Sequence, residues 1–289
     1  MQRANDNKSK IQWHPAFYAT IQIEFKEESH KLWFENEHHL SKKPMQIDVL
    51  IIKKRTDDVI HKNIGQIFRK HNIIEYKSPD DYLSIDAFWK VYGYALFYKS
   101  ESLNVDAIKI SELTITYVSM GYPESLMAYL KENLALTIEK QGEGIYYIVN
   151  DRIPMQILVS SELSEEENLW LRSLSNNIYD QGIVDRLSKE YNEHQTDECY
   201  KAAMNVIVRA NREQFEEAKD MCEALREIWA EDIEKAKSEG YEEGQLTGIK
   251  CMIESTKELG ATWEKVFELV QKKFSVTSEE TENYMKLYW

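Results

Sequence analysis

Between residues 31 and 79 three short runs follow one another: KLWFENEHHL, MQIDVLIIKKR and IIEYKSP. Each is rich in β-branched or aromatic residues and is bounded by turn-type residues, the pattern of a strand. A helix-type segment precedes them. His14-Pro15 opens it, with proline suited to a first helical turn, and it is expected to run to about residue 29. The alternation of Ile21, Ile23 and Phe25 also fits a strand there. A second helix is predicted over residues 84–98, where Ile85, Phe88, Trp89, Tyr92 and Leu96 form one apolar stripe and are read as core. LTITYVSM (residues 113–120) reads as the next strand. A short helix at 125–131 then precedes the strand pair GIYYIVN and RIPMQILVSS.

Past about residue 163 no further strand-type run occurs and glutamate becomes abundant. The reading is therefore an α/β domain over residues 1–162 and a helical region over 163–289, a possible oligomerisation or regulatory module. Gly240, Gly244 and Gly248 fall four apart, and each costs a helix ~1 kcal/mol relative to alanine. A close helix crossing or a break is expected there. The last thirty residues or so read as two short helices divided at residues 275–278. Long amphipathic spacing in the acidic segment 197–237 suggests helices that pack on each other or on a second copy, so a homodimer through this region is expected.

Composition narrows the class. The chain has 289 residues, 43% of them hydrophobic and 11% aromatic, enough for a core and unlike disorder. No apolar run approaches the roughly 20 residues of a membrane helix, and residues 1–15 lack the apolar centre of a signal peptide. A soluble cytoplasmic protein is expected. Cys199, Cys222 and Cys251 are odd in number and widely spaced, which fits structural thiols in a reducing compartment. The net charge of −14 is unevenly placed. Residues 1–100 hold 16 Lys and Arg against 13 Asp and Glu, so the acid lies in the second part and nucleic acid is not excluded as a partner of the first.

Asp48 interrupts the aliphatic run MQIDVLII, where a lone buried charge is costly unless it is paired or holds a metal. Neighbouring strands lie ~4.8 Å apart, so Asp48 and Glu75 on adjacent strands could clamp one hard divalent ion such as Mg²⁺ or Mn²⁺. Lys77 shares a face with Glu75. Plain alternatives stand beside these readings: a solvated Glu75–Lys77 pair, a structural Asp48, a helix-surface Glu24. His30, His38 and His39 read as solvated or edge histidines. Ser78, Asp80 and Asp81 read as a turn and helix cap.

The order helix, three strands, helix, strand, with these residues, resembles the PD-(D/E)XK nuclease superfamily. QIDVLIIKK, IIEYKSPDD and DAFWKVYGYALF, followed by GIYYIVNDRIPMQIL, are similar to its Rpn group of recombination-promoting nucleases, often labelled transposases. The resemblance covers about residues 14–175 and implies a restriction-endonuclease-like αβββαβ core with a mixed sheet. It implies that Asp48, Glu75 and the Tyr76 carbonyl hold Mg²⁺ or Mn²⁺, that Glu24 supports a second ion, and that Lys77 orients or deprotonates the attacking water. Ile47 stands where the superfamily's name has proline, and Lys90 with Tyr94 stands where some relatives carry Gln-x-x-x-Tyr. Lys90, Tyr94, Lys53, Lys54 and Arg55 are the candidate DNA contacts. The implied activity is metal-dependent DNA endonuclease chemistry linked to recombination or mobile elements. The alternative is a catalytically inactive nuclease fold used for nucleic-acid binding or protein assembly.

Overall fold

A computed structural model describes residues 11–35, 49–102, 104–216 and 223–289. The chain forms two compact units, residues 1–224 and 225–289.

The first unit is built on one mixed sheet. Helix α1 (Trp13–Glu24) and a 3-10 turn (Lys26–Lys31) lead into β1 (Leu32–Glu35), β2 (Val49–Lys54) and β3 (His71–Tyr76). Then come α2 (Ile85–Ser100), β4 (Leu113–Ser119), α3 (Glu124–Glu132), β5 (Thr137–Gly142), β6 (Ile145–Val149) and β7 (Met155–Val159). Helices α4 (Leu169–Ser173), α5 (Gln181–Glu193), α6 (Glu198–Ala210) and α7 (Arg212–Glu216) complete the unit. The seven strands lie in the order β1-β2-β3-β4-β7-β6-β5. β1, β2 and β3 form an antiparallel meander, β3, β4 and β7 are parallel neighbours, and β6 and β5 return antiparallel.

Two layers cover this sheet, and the alternation along each strand assigns its residues to one or the other. Ile51, Ile73, Ile115, Tyr117 and Ile157 face α2 and α3, meeting Phe88, Val91, Ala95, Leu126 and Leu130. The opposite face meets α1, whose Phe17 ring stacks on Tyr76 with centroids 4.4 Å apart. Two buried amides on that face donate to backbone carbonyls: Asn72 Nδ2 to that of Ile52 and Gln156 Nε2 to that of Ile64. The latter bond ties the segment before β3 to the sheet. Gly65 lies in that segment, where an added Cβ would come within 2.5 Å of Phe25 Cε1.

Several expectations are revised. The α/β unit does not end near residue 162. Leu171 of α4 bonds to Glu24 of α1, and Lys26 pairs with Asp197 just before α6, so the helices up to α7 belong to the sheet unit. The buried face of α2 is Phe88, Val91, Ala95 and Tyr98 rather than the expected stripe; Trp89 and Leu96 are 42% and 40% exposed. Small Val91 and Ala95 let the helix sit close to the sheet, and the indole at Trp89 turns outward to donate to Tyr129 Oη at 3.2 Å. β5 was not anticipated, because TIEKQG is a largely exposed edge strand without an apolar face.

The second unit holds most of α8 (Glu223–Glu258), with α9 (Trp263–Phe274) and α10 (Ser278–Tyr288). Ile249, Ile253, Val266, Val270 and Met285 make its small core. α8 is unbroken at its glycines. Only Gly248 serves a close crossing, with Phe274 Cε1 3.0 Å from where a Cβ would stand; Gly240 and Gly244 face open space. α10 starts with a capping box between Thr277 and Glu280, which explains the division read at residues 275–278. Among the described residues no helix is long and apolar enough to cross a membrane.

Two glycine substitutions should act in opposite directions. Gly65→Ala overpacks against the Phe25 ring and is expected to lower stability by ~1–3 kcal/mol. Gly93→Ala, in mid-α2 with nothing within 4 Å of its added methyl, is expected to raise it by ~0.5–1 kcal/mol. Urea denaturation of the two variants beside the parent measures both.

Candidate functional site

Strand β3 ends in a carboxylate on one face and an aromatic ring on the other. Glu75 is buried, 6% exposed, in the face covered by α2. Its strand neighbours are Val49 of antiparallel β2 and Tyr117 of parallel β4. Lys77 lies just past the strand, its backbone N–H donating to the Val118 carbonyl at 2.9 Å. Two residues on from Glu75, its side chain returns to the same face, and Nζ meets Glu75 Oε1 at 2.9 Å. The lysine side chain keeps 21% of its surface in solvent and that of Glu75 8%. This pair is therefore no loose surface contact. Removing one partner of a buried pair typically costs ~3–5 kcal/mol, because the other charge is stranded.

The floor under Glu75 is aromatic and dry. Tyr117 is fully buried, stacks on Phe88 and donates its hydroxyl to the Phe88 carbonyl at 3.0 Å. Burial, aided by the Glu75 charge, holds the Tyr117 phenol well above its ordinary value. Beside it Tyr92 donates to Asp151 Oδ1 at 2.8 Å, and burial with that bond pushes its phenol up to about 12. Neither phenol ionises near neutral pH. Glu75 Oε2 has no partner among the described residues.

Other candidates are dispersed. Asp48 precedes Val49 in the chain but lies outside the described residues, as do His38 and His39. Glu24 does not join Glu75. The N-terminal part of α1 is what reaches the end of β3, through Phe17 against Tyr76 and the edge of His14 at 5.9 Å. Glu24 lies seven residues further along the helix, ~10 Å at 1.5 Å per residue. It also belongs to the layer on the Tyr76 side of the sheet, not the Glu75 side. There its carboxylate accepts from Lys62 Nζ at 2.6 Å, from the Leu171 N–H at 2.9 Å and from Asn168 Nδ2 at 3.5 Å. Desolvation outweighs these partners and raises its pKa. Glu24 is thus a strap between α1, the segment before β3 and α4.

The basic candidates divide similarly. Lys53 faces His71 at the opposite end of β3, four residues and ~14 Å from the Glu75 position. It pairs with Glu35 at 2.6 Å, and Arg55 covers the Trp33 ring at 5.2 Å. Lys54 takes part in a backbone bond to Lys70 in the same end region. On α2, Lys90 lies over the Tyr94 ring at 5.5 Å. Tyr76 is buried with its hydroxyl unpartnered among the described residues. The turn after the site is as read, with the Asp81 N–H donating to the Ser78 carbonyl. The cap itself is Ser84, whose Oγ accepts from the Ala87 N–H.

The chain was compared with protein-family models, with curated proteins and with solved structures, and none of them matches it.

The Glu24 strap has a definite pH signature. A carboxyl whose pKa is raised on folding binds its proton more tightly in the native state. The stability it contributes is full at low pH and is lost as pH rises from the ordinary carboxylate range through its raised folded value. Glu24→Gln is expected to flatten this part of the pH dependence, read as the difference in unfolding free energy between the two proteins across pH 4 to 8. Parallel curves would mean that Glu24 titrates as an ordinary glutamate.

Proposed function

We propose that the chain is a metal-dependent DNA endonuclease of PD-(D/E)XK type, with its reactive centre at the end of β3. The observation that carries this reading is the buried Glu75 with Lys77 two residues on and 2.9 Å away, at the edge where β2 also starts. The element order α1-β1-β2-β3-α2-β4, with β4 parallel to β3, supports it and corresponds to the αβββαβ core of that superfamily.

The donor chemistry is tested first. One Glu75 oxygen is engaged by Lys77 and the other has no partner among the described residues, so the carboxylate has lone pairs to offer a hard cation. Asp48 and the Tyr76 carbonyl would be its companions. Glu24 would not, since both its oxygens are taken. A Mg²⁺ or Mn²⁺ ion held there would act as a Lewis acid on a phosphoryl oxygen and make water a better nucleophile.

Lys77 has the remaining roles. Its ammonium is held by Glu75 yet keeps part of its surface in solvent, so it can reach an incoming phosphate without leaving its partner. Placed beside a scissile phosphodiester, it would offset the charge that develops in the transition state. The dry Tyr117–Phe88 floor lowers the local dielectric and strengthens that interaction. Lys90 on α2 remains a candidate phosphate contact. Lys53, Lys54 and Arg55 are too far along β2 to serve the same phosphate.

A second reading follows from the same pair. If Glu75 and Lys77 serve only each other, the edge is a structural ion pair and the fold acts in binding or assembly.

The test uses plasmid nicking with Mg²⁺ or Mn²⁺, and Mn²⁺ titration by calorimetry. Nicking is expected to need the ion and to fall by at least ~10²-fold in Asp48→Ala, Glu75→Gln and Lys77→Met. Glu24→Gln should stay within a few-fold of the parent. Each variant is compared with its own thermal transition, since losing a buried partner also lowers stability. Equal nicking by all the proteins would sink the proposal. Absent nicking together with no Mn²⁺ binding that depends on Glu75 would establish the second reading.

A further inference from the structure

A cleft of about 910 Å³ opens at the carboxyl ends of the parallel strands β3, β4 and β7. Its position follows from the connections. After β4 the chain enters α3, whose Leu126 and Leu130 pack on the α2 face of the sheet. After β7 it enters α4, whose Leu171 N–H reaches Glu24 of α1 in the layer on the other face. Adjacent parallel strands whose connections turn to opposite faces leave a crevice between them, and open α/β sheets bind their ligands at such points. The volume lies in the range of small-molecule sites.

The lining defines the ligand. Tyr82, Met120 and Tyr122 supply the apolar wall, and Asp81, Asp86 and Glu124 the charge; among the described residues no Lys, Arg or His lines the cleft. Tyr82 presents its ring to solvent, 80% exposed. Tyr122 is braced edge-on against Tyr146, centroids 5.2 Å apart, and Tyr146 is itself anchored through its hydroxyl to Glu162. Asp81 accepts weakly from Ser78 at 3.4 Å, whereas Asp86 and Glu124 have no partner among the described residues. An acid in the first turn of α2 and another in that of α3 complement the helix dipoles. That role accounts neither for a solvent-facing tyrosine nor for three carboxylates that no cation balances among the described lining residues.

We propose that this cleft binds an organic cation, an amidinium or ammonium group carried on a flat apolar body. The body would lie against Tyr82, Met120 and Tyr122, where the ring faces attract a cation. The charged head would be held by Asp86 and Glu124, which suit a forked N–H donor. Phosphate and other anions are disfavoured by the same carboxylates. The inference is independent of the nuclease reading.

The full chain is titrated calorimetrically with benzamidine, benzamide and benzoate, one ring carrying positive, neutral and negative heads. Benzamidine is expected to bind at least tenfold more tightly than benzamide, and benzoate not at all. The double variant Asp86→Asn/Glu124→Gln should lose at least tenfold in benzamidine affinity, and Tyr82→Ala several-fold. Equal affinity for benzamidine and benzamide would overturn the proposal, as would no benzamidine binding at millimolar concentration. So would benzamidine binding that is untouched in the double variant. Should that variant unfold, unchanged affinity in Tyr82→Ala, at an exposed position, decides the same way.

Discussion

Everything placed at this edge depends on the pairing of β3, antiparallel to β2 on one side and parallel to β4 on the other. A strand paired on both sides has no freedom to slip, because a shift of one residue would exchange its two faces. Glu75 is thereby committed to the α2 layer beside Tyr117, and Tyr76 to the α1 layer beneath Phe17. The ion pair to Lys77 depends on this parity, since only residues two apart return to one face. The same parity separates Glu24 from Glu75. Helix α1 packs on the ring of Tyr76, so a carboxylate on that helix belongs to the other side of the sheet.

The strands were legible because their cores are made of residues that suit a pleated, half-buried surface. IIKK, IIEY, LTITYVS and MQILV all lie inside observed strands. TIEKQG was not legible, since an exposed edge strand carries no apolar signal and is recognised only by its partner β6. The face of α2 was misjudged for a related reason. Large apolar residues were counted as core, yet what brings that helix onto the sheet is small Val91 and Ala95, both fully buried. Trp89 covers the flank instead. The extent of the sheet unit was hidden too, because nothing in residues 163–224 says locally that α4 and α6 will close over α1.

Glycine spacing carried one true signal among three. Gly240, Gly244 and Gly248 look alike in the sequence, but only the last has a neighbour, the Phe274 ring of α9. A helix of the length of α8 absorbs the two exposed glycines, each costing about 1 kcal/mol, where packing elsewhere compensates. Spacing alone cannot distinguish a crossing from a tolerated cost. The partner ring can, and it lies twenty-six residues away.

Glu24 and Glu75 show how a buried carboxylate is to be read. Both sit with a lysine inside 3 Å, at 2.6 and 2.9 Å, so proximity of a cation does not separate a strap from a reactive group. The occupancy of the oxygens does. A carboxylate offers about four lone-pair sites. Glu24 fills its two oxygens with an ammonium, a backbone N–H and an amide drawn from separate segments. Such a group stitches chain together, and a metal ion would have to displace those partners. Among the described residues Glu75 has one partner, Lys77 just past the end of its own strand, which joins no distant segments and leaves an oxygen to spare. A buried charge with no other partner among the described residues has little structural role to play, and that asymmetry is why we propose the chemistry at the end of β3 rather than at the end of α1.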